Sequence, residues 1–226
     1  MNFSEADLHI WRYTVNEKEY DLEKTSPLLS KKEKERCDDY LNEAEKVRYT
    51  CNHRFVRQVL AKYLNVQASE IEFSQAAKGK PYLKDPELFF NYSYRSNLAI
   101  LAISPHNEVG IDIEKMKPLH DLKTFASFSF SENEKKIIFK SHPDQLQETI
   151  FTFWTFKEAI IKALGVGLNA DLTQIDLSEF YNIETNPLVY ANNDIYTIKR
   201  LKADEGYKTA IAIKGKLISY KEFNFI

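Results

Sequence analysis

Three carboxylates and a lysine, spread over two stretches of this 226-residue chain, have the types and spacing to act on a phosphate group. In Val109-Gly110-Ile111-Asp112-Ile113-Glu114 apolar and polar residues alternate. A strand with that pattern sends Val109, Ile111 and Ile113 to one face and Asp112 and Glu114 to the other, because successive side chains point to opposite sides. Two carboxylates held this close repel unless a proton or a cation lies between them, and an oxygen-seeking ion such as Mg²⁺ is a natural partner. Alternating acids also occur on the wet face of half-buried sheets, so the strand alone fits both readings. The second stretch runs from Phe153 to Leu164, with Lys157, Glu158 and Lys162 among apolar residues and Trp154 expected in the core. Glu158 and Lys162 are four apart and share one side of a helix. Alone they make an ordinary ion pair contributing roughly 0.3 to 0.5 kcal/mol. Joined to Asp112 and Glu114 they have what is needed to hold one magnesium ion against a diphosphate.

The pairing of Gly110-Ile111-Asp112-Ile113-Glu114 with Trp154-x-x-Lys157-Glu158-Ala159-x-x-Lys162 resembles the signature of 4′-phosphopantetheinyl transferases. The resemblance extends to Gly79-Lys80-Pro81, to Phe90-Asn91-Tyr92-Ser93, to the Ser30 to Arg48 region and to Gly165-x-Gly167-Leu168. Length and closing strands are similar to the larger, monomeric class that activates peptide and polyketide synthetases. The resemblance implies two similar half-domains in a pseudo-two-fold arrangement with the active site between them. It implies that Asp112, Glu114 and Glu158 are magnesium ligands and that Glu158 also takes the proton from a serine hydroxyl of an apo carrier protein. Lys162 and Lys157 would neutralise charge on the departing adenosine 3′,5′-bisphosphate of coenzyme A. Lys80 and Pro81 match a turn that contacts the nucleotide, and Arg36 and Arg48 stand where that class carries basic residues for the 3′-phosphate. One departure is plain: Asn91-Tyr92-Ser93-Tyr94-Arg95-Ser96 has tyrosine where the family has a phosphate-binding histidine. Ser93 is kept; either the Tyr94 hydroxyl or the Arg95 charge makes the missing contact, or affinity for coenzyme A is altered.

Two other functions fit subsets of these residues. The same acids could activate water on a small phosphate ester, making a magnesium-dependent phosphohydrolase. Alternatively, a non-catalytic protein of the same fold would hold coenzyme A or a carrier domain without turnover, as the substituted histidine suggests.

Positioning such groups requires alternating element types. Residues 9–15 read as a strand, and Ser30 with Glu33 forms a capping box ahead of a charged helix. Apolar residues recur at helical spacing from Asn42 to Leu64. Strands are expected at 70–74, 88–93, 98–104 and 109–114, the last three closely spaced and so antiparallel. Helices follow at 119–126, after a Ser131/Glu134 capping box, and from a cap at Asp144 to Leu164, where Gly165 stops the run. Strand-like runs at 175–177, 195–201, 207–213 and 217–223 close an α+β protein. The expected division is 1–106 and 107–226.

Bulk properties narrow the function classes. With 43% hydrophobic residues a chain this long buries a self-sufficient core. A net charge of −2 lacks the basic excess of a nucleic-acid binder. Cys37 and Cys51 have no metal or redox spacing, and His9, His53, His106, His120 and His142 show no ligand pattern. The N-terminus lacks a basic start and apolar core, and the apolar run Leu98 to Ile103 is too short to span a bilayer. The expected setting is the cytoplasm.

Overall fold

A computed structural model describes residues 3, 8–16, 26–84, 88–167, 170–181, 186–217 and 219–226. Leu168, which follows the Gly165-x-Gly167 pair in sequence, lies outside the described residues, as do residues 1–2 and 4–7. The first half runs β1 (Leu8–Thr14), α1 (Lys31–Asp38), α2 (Glu43–Leu64), β2 (Phe73–Gln75), β3 (Pro81–Leu83), β4 (Phe89–Arg95) and β5 (Leu98–Ser104). The second runs β6 (Val109–Lys115), α3 (Leu122–Ser129), α4 (Glu132–Lys140), α5 (Pro143–Leu164), β7 (Leu188–Ala191), β8 (Asp194–Leu201), β9 (Tyr207–Lys214) and β10 (Tyr220–Asn224).

Local chemistry sets the helix ends. The Asn42 side chain accepts from the backbone N–H groups of Ala44 and Glu45, and α2 ends at Asn65 in the left-handed conformation, φ 54°. Ser30 with Glu33 and Ser131 with Glu134 are both reciprocal capping boxes. Helix α5, 22 residues like α2, stops at Gly165 with φ 69°. Its cap is His142 rather than the expected Asp144, because Pro143 occupies the first helical position, where its missing N–H costs nothing.

Two four-stranded sheets, ordered β10-β1-β5-β4 and β6-β9-β8-β7, form the middle of the molecule. Between them pack Leu8, Ile10, Ile100 and Ala102 from one side and Val109, Ile111, Ile113, Ile211 and Ile213 from the other. Helix α2 covers the opposite face of the first sheet through Phe55, Val59 and Leu60 against Trp11, Leu101 and Ile103. Helix α5 does the same for the second through Phe153, Phe156 and Ile160 against Ile198, Ala210 and Ala212. Burial on both faces explains why β5 and β9 read as nearly continuous apolar runs. Among the described residues no helix is long and apolar enough to cross a membrane.

Several expected elements differ. Of the strand expected at 70–74 only Phe73 and Ser74 are strand, the start of β2, while Glu70 ends a 3-10 turn, Ala68–Glu70. Residues 175–177 are not a strand: Ile175 and Leu177 are buried, and the Leu177 N–H donates to the Glu134 carboxylate instead of to a ladder. Strand β7 was unforeseen. Strand β10 joins the first sheet, pairing parallel with β1, Leu8 opposite Tyr220, so the sheets are not wholly antiparallel.

Glu33 ties α1 to α2. Its carboxylate accepts from Arg57 at 2.7 and 2.8 Å and meets His53 at 2.8 Å, and Arg57 also donates to the Ala68 and Ile71 carbonyls. Burial pushes the Glu33 pKa up, but the His53 contact, Arg57 and the Ser30 N–H outweigh it and hold the group at about 2 against an ordinary 4.5. A depressed folded pKa stabilises the fold above the unfolded value, so this contribution is full above pH 4.5 and drains away as pH falls toward 2. Glu33→Gln leaves the Arg57 charge buried without its counter-ion and should cost about 3 to 5 kcal/mol. Urea unfolding as a function of pH checks both points: the variant is less stable at pH 7 and lacks this part of the wild-type slope below pH 4.5.

Candidate active site

The two half-domains meet where β4 runs beside β6, joined by side chains rather than a ladder. The Asn91 amide oxygen accepts from the Ile111 N–H at 2.9 Å and Ser93 Oγ from the Ile113 N–H at 3.4 Å. On the face of β6 turned to α5, Gly110, Asp112 and Glu114 follow one another. Gly110 has no substitute there: a Cβ would lie 2.1 Å from the Ala159 carbonyl oxygen and 2.2 Å from the Ala163 nitrogen. The helix backbone therefore rests directly on the strand, which brings Glu158 and Lys162 over Asp112.

Lys162 Nζ donates to Asp112 Oδ1 at 2.6 Å and to Ser93 Oγ at 3.0 Å, while Ser93 Oγ donates to Asp112 Oδ1 at 3.0 Å. Arg95 grips Glu114 with two prongs, Nε to Oε2 at 2.8 Å and Nη2 to Oε1 at 2.5 Å, and Trp154 Nε1 donates to Oε1 at 3.3 Å. Glu158 is buried, and its pKa rises to about 7, from burial first and then the Asp112 charge, with Lys162 pulling the other way. These groups, with Tyr92 and Tyr94, line a cavity of about 370 Å³.

Two carboxylate oxygens in the cluster, Asp112 Oδ2 and Glu158 Oε1, are buried without a hydrogen-bond partner. Bare, buried anionic oxygens are costly unless a cation or proton meets them, so the donor set fits a hard divalent ion. Among the described residues, though, no three His, Cys, Asp or Glu side chains already form a metal cluster. The acids are held by Lys162 and Arg95 instead.

Other expected site residues lie elsewhere. Lys157 is fully buried on another side of α5, paired to Glu134 at 2.6 Å and donating to the Leu172 carbonyl at 2.8 Å, so it faces the core and not a substrate. Lys80 spends its donors on Glu108 at 2.6 Å, the Ala163 carbonyl at 3.0 Å and the Val109 carbonyl at 3.3 Å, clasping the end of α5 to the start of β6. Pro81 opens β3. Neither lines the cavity. Arg36 pairs with Asp39 at 3.7 Å and lies over Tyr40, whose side chain shares a hydrogen bond with Tyr94. Burial, then Tyr40, raise the Tyr94 pKa, so its hydroxyl keeps a proton to donate. Arg48 is half-buried on α2 and has its own partner in the protein. Trp154, expected in the core, packs against it and also walls the cavity. No periodicity could reveal that, since it also packs on Phe125. Asn91 and Glu134 were likewise missed as positioning groups.

Two outcomes test this geometry. Gly110→Ala must push α5 off β6, so it should cost about 1 to 3 kcal/mol of stability, read as a lower thermal midpoint, and reduce activity out of proportion to the unfolded fraction. In metal-free protein, ¹³C NMR should find Glu158 titrating near neutrality, and Asp112→Asn should move that titration down, because it removes a neighbouring negative charge and frees Lys162.

Comparison with known proteins agrees with this arrangement. A model described as "4'-phosphopantetheinyl transferase superfamily" matches residues 108–212, and one described as "4'-phosphopantetheinyl transferase, N-terminal" matches residues 13–106. The chain is 29% identical to 4'-phosphopantetheinyl transferase HetI of Nostoc sp., over 92% of this chain and 88% of the relative. It is 27% identical to 4'-phosphopantetheinyl transferase Sfp of Bacillus subtilis, over 84% of each. Against the human L-aminoadipate-semialdehyde dehydrogenase-phosphopantetheinyl transferase it is 29% identical, over 78% of this chain and 59% of that one. With each half matched by a model of the same transferase, and relatives of that name aligned across both, the chain belongs to the 4′-phosphopantetheinyl transferase superfamily.

Proposed function

We propose that this protein transfers the 4′-phosphopantetheine group of coenzyme A to a serine hydroxyl of an apo carrier protein, releasing adenosine 3′,5′-bisphosphate. The observation that carries this reading is Glu158, a buried carboxyl with its pKa raised to about 7, beside a lysine and two further acids in an open cavity. That value belongs to the metal-free site and a bound cation would lower it, so the proton transfer assigned to Glu158 rests on its place beside Asp112 and Lys162 in the cavity. The serine oxygen forms a bond to the phosphorus bearing pantetheine, the bond from that phosphorus to the leaving bisphosphate breaks, and the serine proton passes to Glu158. Lys162, fixed by Asp112 and Ser93, faces the charge that builds on the leaving group.

The bare oxygens of Asp112 and Glu158 favour Mg²⁺, which they would hold together with Glu114. When bound, the ion supplies charge neutralisation on the diphosphate. Ser93, Tyr94 and Arg95 are the phosphate-binding groups on the first half-domain, with Arg36 behind Tyr40 adding charge. Lys80 acts from behind, by holding α5 against β6, and Pro81 opens β3 beside it. In this reading residues 1–106 and 107–226 supply opposite walls of the site, in a monomer. Cys37 and Cys51 form no disulfide, which supports a cytoplasmic setting.

Intact mass spectrometry of apo carriers from fatty-acid, polyketide and peptide synthesis, incubated with the protein, coenzyme A and Mg²⁺, should gain one phosphopantetheine, and a chelator should abolish the gain. Glu158→Gln should lower transfer at least about 100-fold while leaving the melting curve close to wild type. Wild-type turnover in that variant removes Glu158 as the base. Coenzyme A binding without any mass gain would instead make the protein a non-catalytic binder of the same fold.

A further inference from the structure

We infer that Arg95 occupies the place of the divalent ion in the unliganded protein, so that the ion must displace its guanidinium from Glu114 in order to bind. This rests on the reading of Asp112, Glu114 and Glu158 as the cation's ligands. The three acids are not equivalent. Asp112 and Glu158 each keep one bare buried oxygen, whereas both oxygens of Glu114 are taken, Oε2 by Arg95 Nε at 2.8 Å and Oε1 by Arg95 Nη2 at 2.5 Å and Trp154 Nε1 at 3.3 Å. A two-pronged guanidinium–carboxylate pair is among the stronger charged contacts, and it fills the side of the cluster that an ion would need.

Formal charge gives the same answer. With all three carboxylates ionised, as cation binding requires of Glu158, they carry −3 and Lys162 with Arg95 carries +2. Adding a divalent ion with both cations in place makes +4 against −3, whereas releasing Arg95 makes +3 against −3. Arg95 is the group able to leave. Its side chain is 50% exposed, against 27% for Lys162, which is pinned by both Asp112 and Ser93. It also ends β4 immediately before the two-residue turn Ser96-Asn97, where a long side chain can swing without moving a sheet. An anionic ligand arriving at the cavity mouth offers the freed guanidinium a new partner. Phosphate and metal binding are then coupled, each opening the site to the other.

The test measures metal binding without turnover: free Mn²⁺ followed by electron paramagnetic resonance during titration, for wild type, Arg95→Gln and Arg95→Lys, with and without adenosine 3′,5′-bisphosphate. Arg95→Gln should bind Mn²⁺ about 3- to 10-fold more tightly than wild type in the absence of nucleotide. Arg95→Lys, which keeps the charge but loses the fork, should fall between them and covers the case in which the glutamine variant fails to fold. The bisphosphate should tighten Mn²⁺ binding to wild type and have a much smaller effect in Arg95→Gln. Variants that bind Mn²⁺ no tighter than wild type would overturn the displacement while leaving the metal site standing. If neither wild type nor variants bind Mn²⁺, the reading of the acids as a cation site falls, and this inference with it.

Discussion

The site depends on a helix backbone lying directly on a strand. Because Gly110 presents no Cβ to the Ala159 and Ala163 backbone, α5 sits closer to β6 than any side chain would allow, and one residue pair further along that contact Asp112 comes within 2.6 Å of Lys162. Close packing fixes distance; charge then fixes what the groups do. Beside the Asp112 charge, in a buried setting, Glu158 cannot ionise freely, and its raised proton affinity follows from position rather than from anything in its own chemistry. Lys80 guards the same contact from its far end, holding the Ala163 carbonyl and the Val109 carbonyl with one ammonium. A lysine that reads in sequence as a phosphate ligand thereby serves as a clasp between half-domains.

Much of this arrangement was legible in the sequence. Alternation along β6 put Asp112 and Glu114 on one face, four-residue spacing put Glu158 and Lys162 on another, and both capping boxes formed where Ser30 and Ser131 predicted them. Local patterns report local geometry well. They say little about which side of a helix faces which neighbour: Lys157 and Glu158 are adjacent in sequence, yet one is sealed in the core against Glu134 and the other opens on the cavity. Trp154 and Phe153 present the same ambiguity between core and cavity wall.

Other misses have separate causes. The β7–β8 hairpin turns on Asn192 and Asn193, both at positive φ, and the wholly apolar Leu188-Val189-Tyr190-Ala191 before them is the strand that was missed. Ile175 and Leu177, either side of Asp176, are apolar because they pack in the core with Ile138 of α4, with Leu177 tethered to Glu134. Strand β10 could be foreseen as a strand but not as a member of the first sheet, since pairing partners far apart in sequence leave no mark in a local window.

That last pairing ties the order of synthesis to the completion of the fold. Strand β1 emerges early, but its neighbours on either side, β5 and β10, come from the middle of the described chain and from residues 220–224. Until β10 arrives, one edge of β1 stays unpaired, and Trp11 lacks the ring of Phe223 that stacks on it at 4.8 Å. A nascent first half therefore carries an open, aromatic-rich edge of the kind that recruits foreign strands, through translation of the whole second half. Once closed, neither half-domain can come apart without pulling a strand out of the other's territory. The two halves are therefore expected to melt as one cooperative unit, with the cleft between them braced by a contact made on the opposite edge of the first sheet.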